Sequence, residues 1–266
     1  MNDASSGGAG SSVTRTDSVD VDDTSTWPAD LADLIARLAR GIPKAKIKRL
    51  DSASDLHNVA RELAQYDDQV REILAGCLLR TYHATRLLDY EVEDVRKLGL
   101  LALTEESLDE RVDRAVAAGF IAAADVAVMR LSTAAVHEPS HMVKHRFGEV
   151  SVVTSRQPLA QAWPRRYLSN WGGEVRQFGP LWTDGEFERI RRIGRPSLIV
   201  AGIDVSTPAA AGSGRELVFD FIGVWLGLNG NGVVIHHAAD IPGEQIMDVC
   251  QPGHPEYDRH AYFPRS

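Results

Sequence analysis

The apolar pattern of this chain changes period at Leu78, and that switch limits the fold classes open to it. Upstream, Leu31, Leu34, Ile35 and Leu38 fall at i, i+3, i+4 and i+7, an amphipathic helix that Gly41 ends. Leu56, Val59, Ala60 and Leu63 repeat the spacing. So do Val70, Ile73, Leu74 and Cys77, with a stop near Gly76. Downstream, residues 78–85, 149–154, 174–178, 197–205, 216–226 and 232–237 read as strands, and 240–249 closes the core. The strands at 216–226 and 232–237 flank Asn229-Gly-Asn-Gly, a hairpin signal. Helices are expected at 89–98, 105–118 and 122–135, with a short one at 157–163 limited by Pro164. Helices first and strands later predict an α+β fold.

Composition bounds the rest. Of the 266 residues, 44% are hydrophobic and 25% charged, ordinary proportions for a globular protein. Residues 1–26 are Ser, Gly, Thr and Asp with almost no large apolar side chain, so a disordered tail is expected there. A helical segment over 27–77 and a main domain over 78–266 would follow. Residues 1–27 carry five Asp against one Arg, half of the net charge of −8. That balance argues against a broad phosphate-binding surface. Arg165-Arg166 and the cluster Arg189, Arg191, Arg192 and Arg195 read as solvated faces.

No apolar run reaches the roughly 18–20 residues of a membrane span. Cys77 and Cys250 suggest neither a disulfide framework nor a cysteine zinc site, which points to a reducing compartment. With no apolar leader, the expected location is the cytoplasm, or a target cell reached by secretion from a bacterium without a cleaved signal peptide.

Few residues carry a readable chemistry. Walker, GxGxxG, GxSxG and HExxH patterns are absent. His137, His141 and His145 are spaced by four, but Pro139 interrupts a shared helix face, so a loop or partner-facing surface is the expectation and no metal is called. His236 and His237 are adjacent in a strand, point to opposite faces and cannot chelate together. The 22 residues from Leu79 to Leu100 are more specific. They combine a strand carrying His83-Ala-Thr85, which places His83 and Thr85 on one face, with a short helix capped by Asp89 and a Gly99-Leu100 exit.

In this segment the chain resembles the ADP-ribosyltransferase superfamily, in the branch whose first strand carries His-x-Thr. Val152-Val-Thr-Ser-Arg-Gln-Pro-Leu-Ala-Gln-Ala-Trp is similar to that family's strand ending in Thr/Ser before a helix. Asp240-Ile-Pro-Gly-Glu-Gln-Ile-Met-Asp-Val is similar to its closing Ile-Pro…Ile strand, and Trp171-Gly-Gly-Glu supplies a glutamate, Glu174. The likeness spans roughly 80–250 in broken pieces.

The resemblance implies a split β-sheet core and an enzyme of the glycosyltransferase class that uses NAD as substrate. Such a mono-ADP-ribosyltransferase would be a bacterial toxin, defence protein or effector. Its acceptor would be a protein or nucleic acid, an antitoxin or immunity protein would be a possible partner, and no membrane is involved. Glu174 would oppose the charge of the oxocarbenium-like ribosyl cation, with His83 holding the ribose. Thr85 would support the strand or touch the adenosine part, and Arg86 would pair with the pyrophosphate. Thr154 and Ser155 would brace the pocket, and Gly172 and Gly173 would admit ligand close to backbone. Trp171, Tyr82 or Tyr90 would stack on the nicotinamide ring. The Glu-x-Glu or Gln-x-Glu pair of arginine-modifying members is absent, which puts arginine as acceptor in doubt. Glu244 is the fallback carboxylate. Transfer to water, giving an NAD glycohydrolase, or a non-catalytic binding module on a degenerate transferase-like fold are the alternatives.

Overall fold

A computed structural model describes residues 18–42, 58–59, 61–127, 129, 147–161, 163–172, 188–210, 217–228 and 232–265. In chain order its elements are β1 (Ser18–Val19), α1 (Ala29–Gly41), α2 (Asp67–Ile73), β2 (Leu78–Leu87), α3 (Asp89–Leu98), β3 (Gly99–Leu100) and α4 (Glu105–Ala117). There follow β4 (Val150–Val153), α5 (Trp163–Ser169), α6 (Glu188–Arg191), β5 (Arg195–Ile203), α7 (Leu217–Trp225), β6 (Val234–His237), β7 (Ile241–Pro242), β8 (Ile246–Cys250) and α8 (Pro255–Asp258). The α+β class expected from the pattern holds.

The main sheet runs β6-β4-β2-β5-β8. One edge of β2 pairs with β5 along almost its whole length, from Leu79↔Ile203 to Leu87↔Arg195. The other edge is shared. β1 lies parallel to its start at Leu78 and Leu79, β4 joins antiparallel at the single pair Tyr82↔Val153, and from His83 onwards the two strands part.

Alternation assigns the side chains to two buried faces. Leu79, Val150, Val152, Ile199, Ala201 and Ile235 pack under α1 and α7, in a cluster with Leu31, Ile35, Phe221 and Ile222. Tyr82, Val153, Leu198, Val200 and Cys250 face the other way, onto Leu168 of α5 and Tyr257 of α8.

Three expectations from the sequence need correction. The tail does not stay free up to residue 26. Val19 and Val21 are 1% and 0% exposed, and Trp27 donates its indole N–H to the Asp20 carbonyl at 3.0 Å. Arg156 completes the attachment through Asp20, Asp22 and Glu256, at 2.9, 3.2 and 2.8 Å. Composition hides this because two valines and a salt-bridge network dock a segment that is otherwise polar.

Residues 217–225 are helical, not a strand, so the hairpin at Asn229 is not formed from two strands. α7 is apolar on all sides because it is buried between α1 and the sheet, and such a helix shows no polar face to reveal its period. Its one charge, Asp220, accepts hydrogen bonds from Thr154 Oγ1 and, at 2.7 Å, from Val233 N. Finally, Pro164 does not end a helix but sits in the first turn of α5, where a missing N–H breaks no hydrogen bond. The expected helix at 122–135 is helical where it is described, with a 3-10 turn over Ala123–Asp125 leading into helical residues 126–127 and 129, and the rest of it lies outside the described residues. The expected strand at 174–178 lies outside the described residues.

Two segments quoted for the family likeness meet. Gly99↔Pro242 and Leu100↔Ile241 form a separate two-stranded sheet. Gly99 has φ +97°, and a Cβ there would collide with the Ile241 carbonyl, so only glycine permits the crossing.

Candidate functional site

Where β2 and β4 part, the sheet opens on a cleft of about 310 Å³ walled by β2, α3, α4 and the lead-in to β4. His83, Thr85 and Leu87 line it from one face of β2, as the alternation predicts.

The gap is bridged by a side chain. His83 Nδ1 lies 2.8 Å from the Ser151 carbonyl, which only accepts, so Nδ1 carries the proton. Burial lowers the imidazole pKa below its ordinary value, and Arg111 adds to the effect. The ring is therefore neutral, with Nε2 as an acceptor that makes no hydrogen bond among the described residues.

The opposite wall is a buried ion pair. Glu91 of α3 accepts from Leu88 N at 2.7 Å, Trp171 Nε1 at 3.0 Å and Arg111 Nη2 at 3.1 Å, with Arg111 Nε also bonded to it. Burial opposes its charge, but Arg111 and these donors outweigh burial and hold the carboxyl below the usual range. Tyr90 stands beside it, its ring 4.7 Å from the Arg114 guanidinium. Its hydroxyl is buried without a partner among the described residues, and burial pushes its pKa up to about 12. Glu149 enters from the start of β4, 3.6 Å from His236 Nδ1. Altogether four carboxylates (Glu91, Asp94, Glu110, Glu149) face two guanidinium groups (Arg111, Arg114), so the cleft favours a cationic ligand group.

The residues expected from the sequence divide. His83, Thr85, Tyr90 and Gly172 line this cleft, and Gly172 adopts φ +91°. Gly173, Glu174 and the 137–145 histidines lie outside the described residues. Arg86 is not available to a pyrophosphate. It points to the other face and donates to the carbonyls of Ile193, Leu168 and Arg192 at 2.9, 3.2 and 2.8 Å. Thr154 and Ser155 are buried away from the cleft, and Thr154 is a brace between Asp220 and Val233. Trp171 cannot stack on a ligand, because its ring is 1% exposed and packed with Leu88, Val112 and Ile190 under the Arg111 guanidinium. The Tyr82 ring is likewise covered, by Arg80 and Arg156. Glu244 is exposed in a turn after β7 and does not line the cleft.

Glu149 and the Ser151–His236 pair were missed. Alternation puts residues 149 and 151 on one strand face, but nothing local pairs that strand with the one that carries His236.

Among the described residues, Asp248, Cys250 and His254 group as potential metal ligands. His254 Nδ1 already accepts from Glu256 N at 3.2 Å, so Nε2 keeps its proton and meets Asp248 Oδ2 at 3.2 Å. Burial and Asp248 push the Cys250 thiol up to about 12. These groups satisfy one another without an ion. No helix among the described residues is long and apolar enough to cross a membrane. No protein-family model, curated protein or solved structure matches the chain.

Proposed function

We propose that this chain is an NAD-consuming mono-ADP-ribosyltransferase whose nicotinamide–ribose end binds at the parting of β2 and β4. The observation that carries the reading is the neutral His83, presented on an anionic cleft. Its Nε2 accepts from a ribose hydroxyl, and Thr85 lies on the same strand face. Gly172, two residues before Glu174 in the chain, lines the cleft. The carboxylate excess suits both the cationic nicotinamide ring and the oxocarbenium-like ribosyl cation that follows its departure. Glu174 is the carboxylate assigned to that cation, and Glu149, two residues before Ser151, is a described carboxylate of the same cleft.

The chemistry breaks the glycosidic C–N bond. Nicotinamide leaves with the bonding pair, and an acceptor nucleophile adds to the ribosyl carbon as it loses its proton. The acceptor is a macromolecule, and a toxin, defence or effector role fits such an activity.

Incubation with NAD labelled in the adenine tests the reading. Free nicotinamide with label fixed to a macromolecule supports transfer. Free nicotinamide with all label in ADP-ribose makes the protein a glycohydrolase, and no turnover leaves a binding module.

A further inference from the structure

Behind the cleft, on the other face of the sheet, lies a second cavity of about 290 Å³. Its walls are apolar and aromatic, with Leu159, Trp163 and Tyr167 over Val153 and Val234. A nucleophile and a base are among its lining residues. Ser151 and His236 are directly opposed across β4 and β6, and Ser151 Oγ is 2.9 Å from His236 Nδ1. Glu149 Oε2 is 3.6 Å from the same nitrogen.

We propose that this cavity is an esterase site, with Ser151 as nucleophile and His236 as general base, acting on small carboxylic esters with a flat apolar acyl group. His83, Thr85 and Ser151 line both cavities, but the proposal rests on the Ser151–His236 pair and not on the NAD reading.

Three features support it. First, a serine hydroxyl becomes a useful nucleophile only when a neighbouring base takes its proton, and His236 is at hydrogen-bond distance. Glu149 offers a negative charge to the imidazolium that results. Second, the Ser151 main chain faces the gap. His83 holds the Ser151 carbonyl from that side, and in an extended strand a residue's N–H points the same way as its C=O. No β2–β4 ladder pair occupies that edge beyond Tyr82↔Val153, so the Ser151 N–H is placed to stabilise an oxyanion. Third, the aromatic walls supply apolar burial next to the reacting group, as small-molecule sites do.

The step balances without a co-reactant. Ser151 Oγ bonds to the acyl carbon while its proton passes to His236 Nδ1. His236 returns that proton to the departing alkoxide as the ester C–O bond breaks. Water then attacks the acyl-serine, passing its proton through His236 to Ser151 Oγ as that bond breaks.

The test is labelling of the full chain with a fluorophosphonate probe, peptide mass mapping of the adduct, and p-nitrophenyl benzoate hydrolysis. The expected result is an adduct on Ser151 that forms about 10²–10⁴ times more slowly in His236→Gln, with ester hydrolysis lost in Ser151→Ala. Absence of an adduct on folded wild-type protein overturns the proposal, as does an adduct elsewhere. So does Ser151 labelling that proceeds at an unchanged rate in His236→Gln. Mapping on the wild-type chain keeps the test decisive even if a variant fails to fold.

Discussion

His83 Nδ1 donates to the Ser151 carbonyl at 2.8 Å across the place where β2 and β4 stop pairing, so one side chain stands in for the ladder. His83→Phe keeps an aromatic ring but removes the donor, leaving a backbone acceptor unpaired. The expected loss of stability is about 1–3 kcal/mol, read by urea denaturation. An unchanged midpoint would mean that water or another donor replaces the imidazole without cost.

The N-terminal attachment gives a second expectation. A chain starting at residue 27 should be less stable than one starting at residue 18, by about 3 kcal/mol or more, since two fully buried valines are removed. Arg156 would also lose two of its three carboxylate partners. Paired thermal melts of the two truncations check this, and equal melting temperatures would show that the docked strand adds nothing.

Arg111→Met should cost about 3–5 kcal/mol, because it strands the buried Glu91 charge rather than removing both partners. Glu91→Gln/Arg111→Met together should be milder than the sum of the single changes. A double-mutant cycle in chemical denaturation measures the difference, and strict additivity would contradict the pairing.

Acid should weaken the fold in two stages. Burial holds His83 and His260 below the ordinary value of 6.5, His260 to about 4. Unfolding therefore takes up protons there, and the stability that depends on these groups is whole above 6.5 and falls as the pH drops towards 4. Glu91 and Glu256 follow. Burial works against their charge but Arg111 and Arg156 outweigh it, so both sit below 4.5, and their contribution is present above that value and lost beneath it. Asp22, raised by burial, has the opposite sign and offsets part of the second loss. Melting temperatures between about pH 8 and pH 3 should fall in this order. A flat profile down to pH 5 would contradict the buried neutral histidines.

The strand-by-strand pattern made much of this fold legible. His83 and Thr85 share a face because β2 alternates, and Gly99-Leu100 and Ile241-Pro242 are close to where a closing strand should be. What stayed hidden depends on partners far along the chain. Leu217–Trp225 reads as a strand because its helical period shows only when one side is wet. Ser18–Thr26 reads as free because nothing local announces that Arg156 and β2 will receive it. Arg86 looked available to a phosphate, yet three backbone carbonyls from residues 168–193 claim its guanidinium. The Ser151–His236 pair needs the β4–β6 register, which no short-range signal sets.

The most direct test of the central claim is the rate of nicotinamide release from NAD by wild-type protein and by Glu174→Gln. That change keeps shape and removes the charge assigned to the ribosyl cation. Release by the wild type should fall by about 10²–10³ in the variant, with little change in NAD affinity. No release from the folded wild-type chain, or an equal rate in Glu174→Gln, would contradict the assignment.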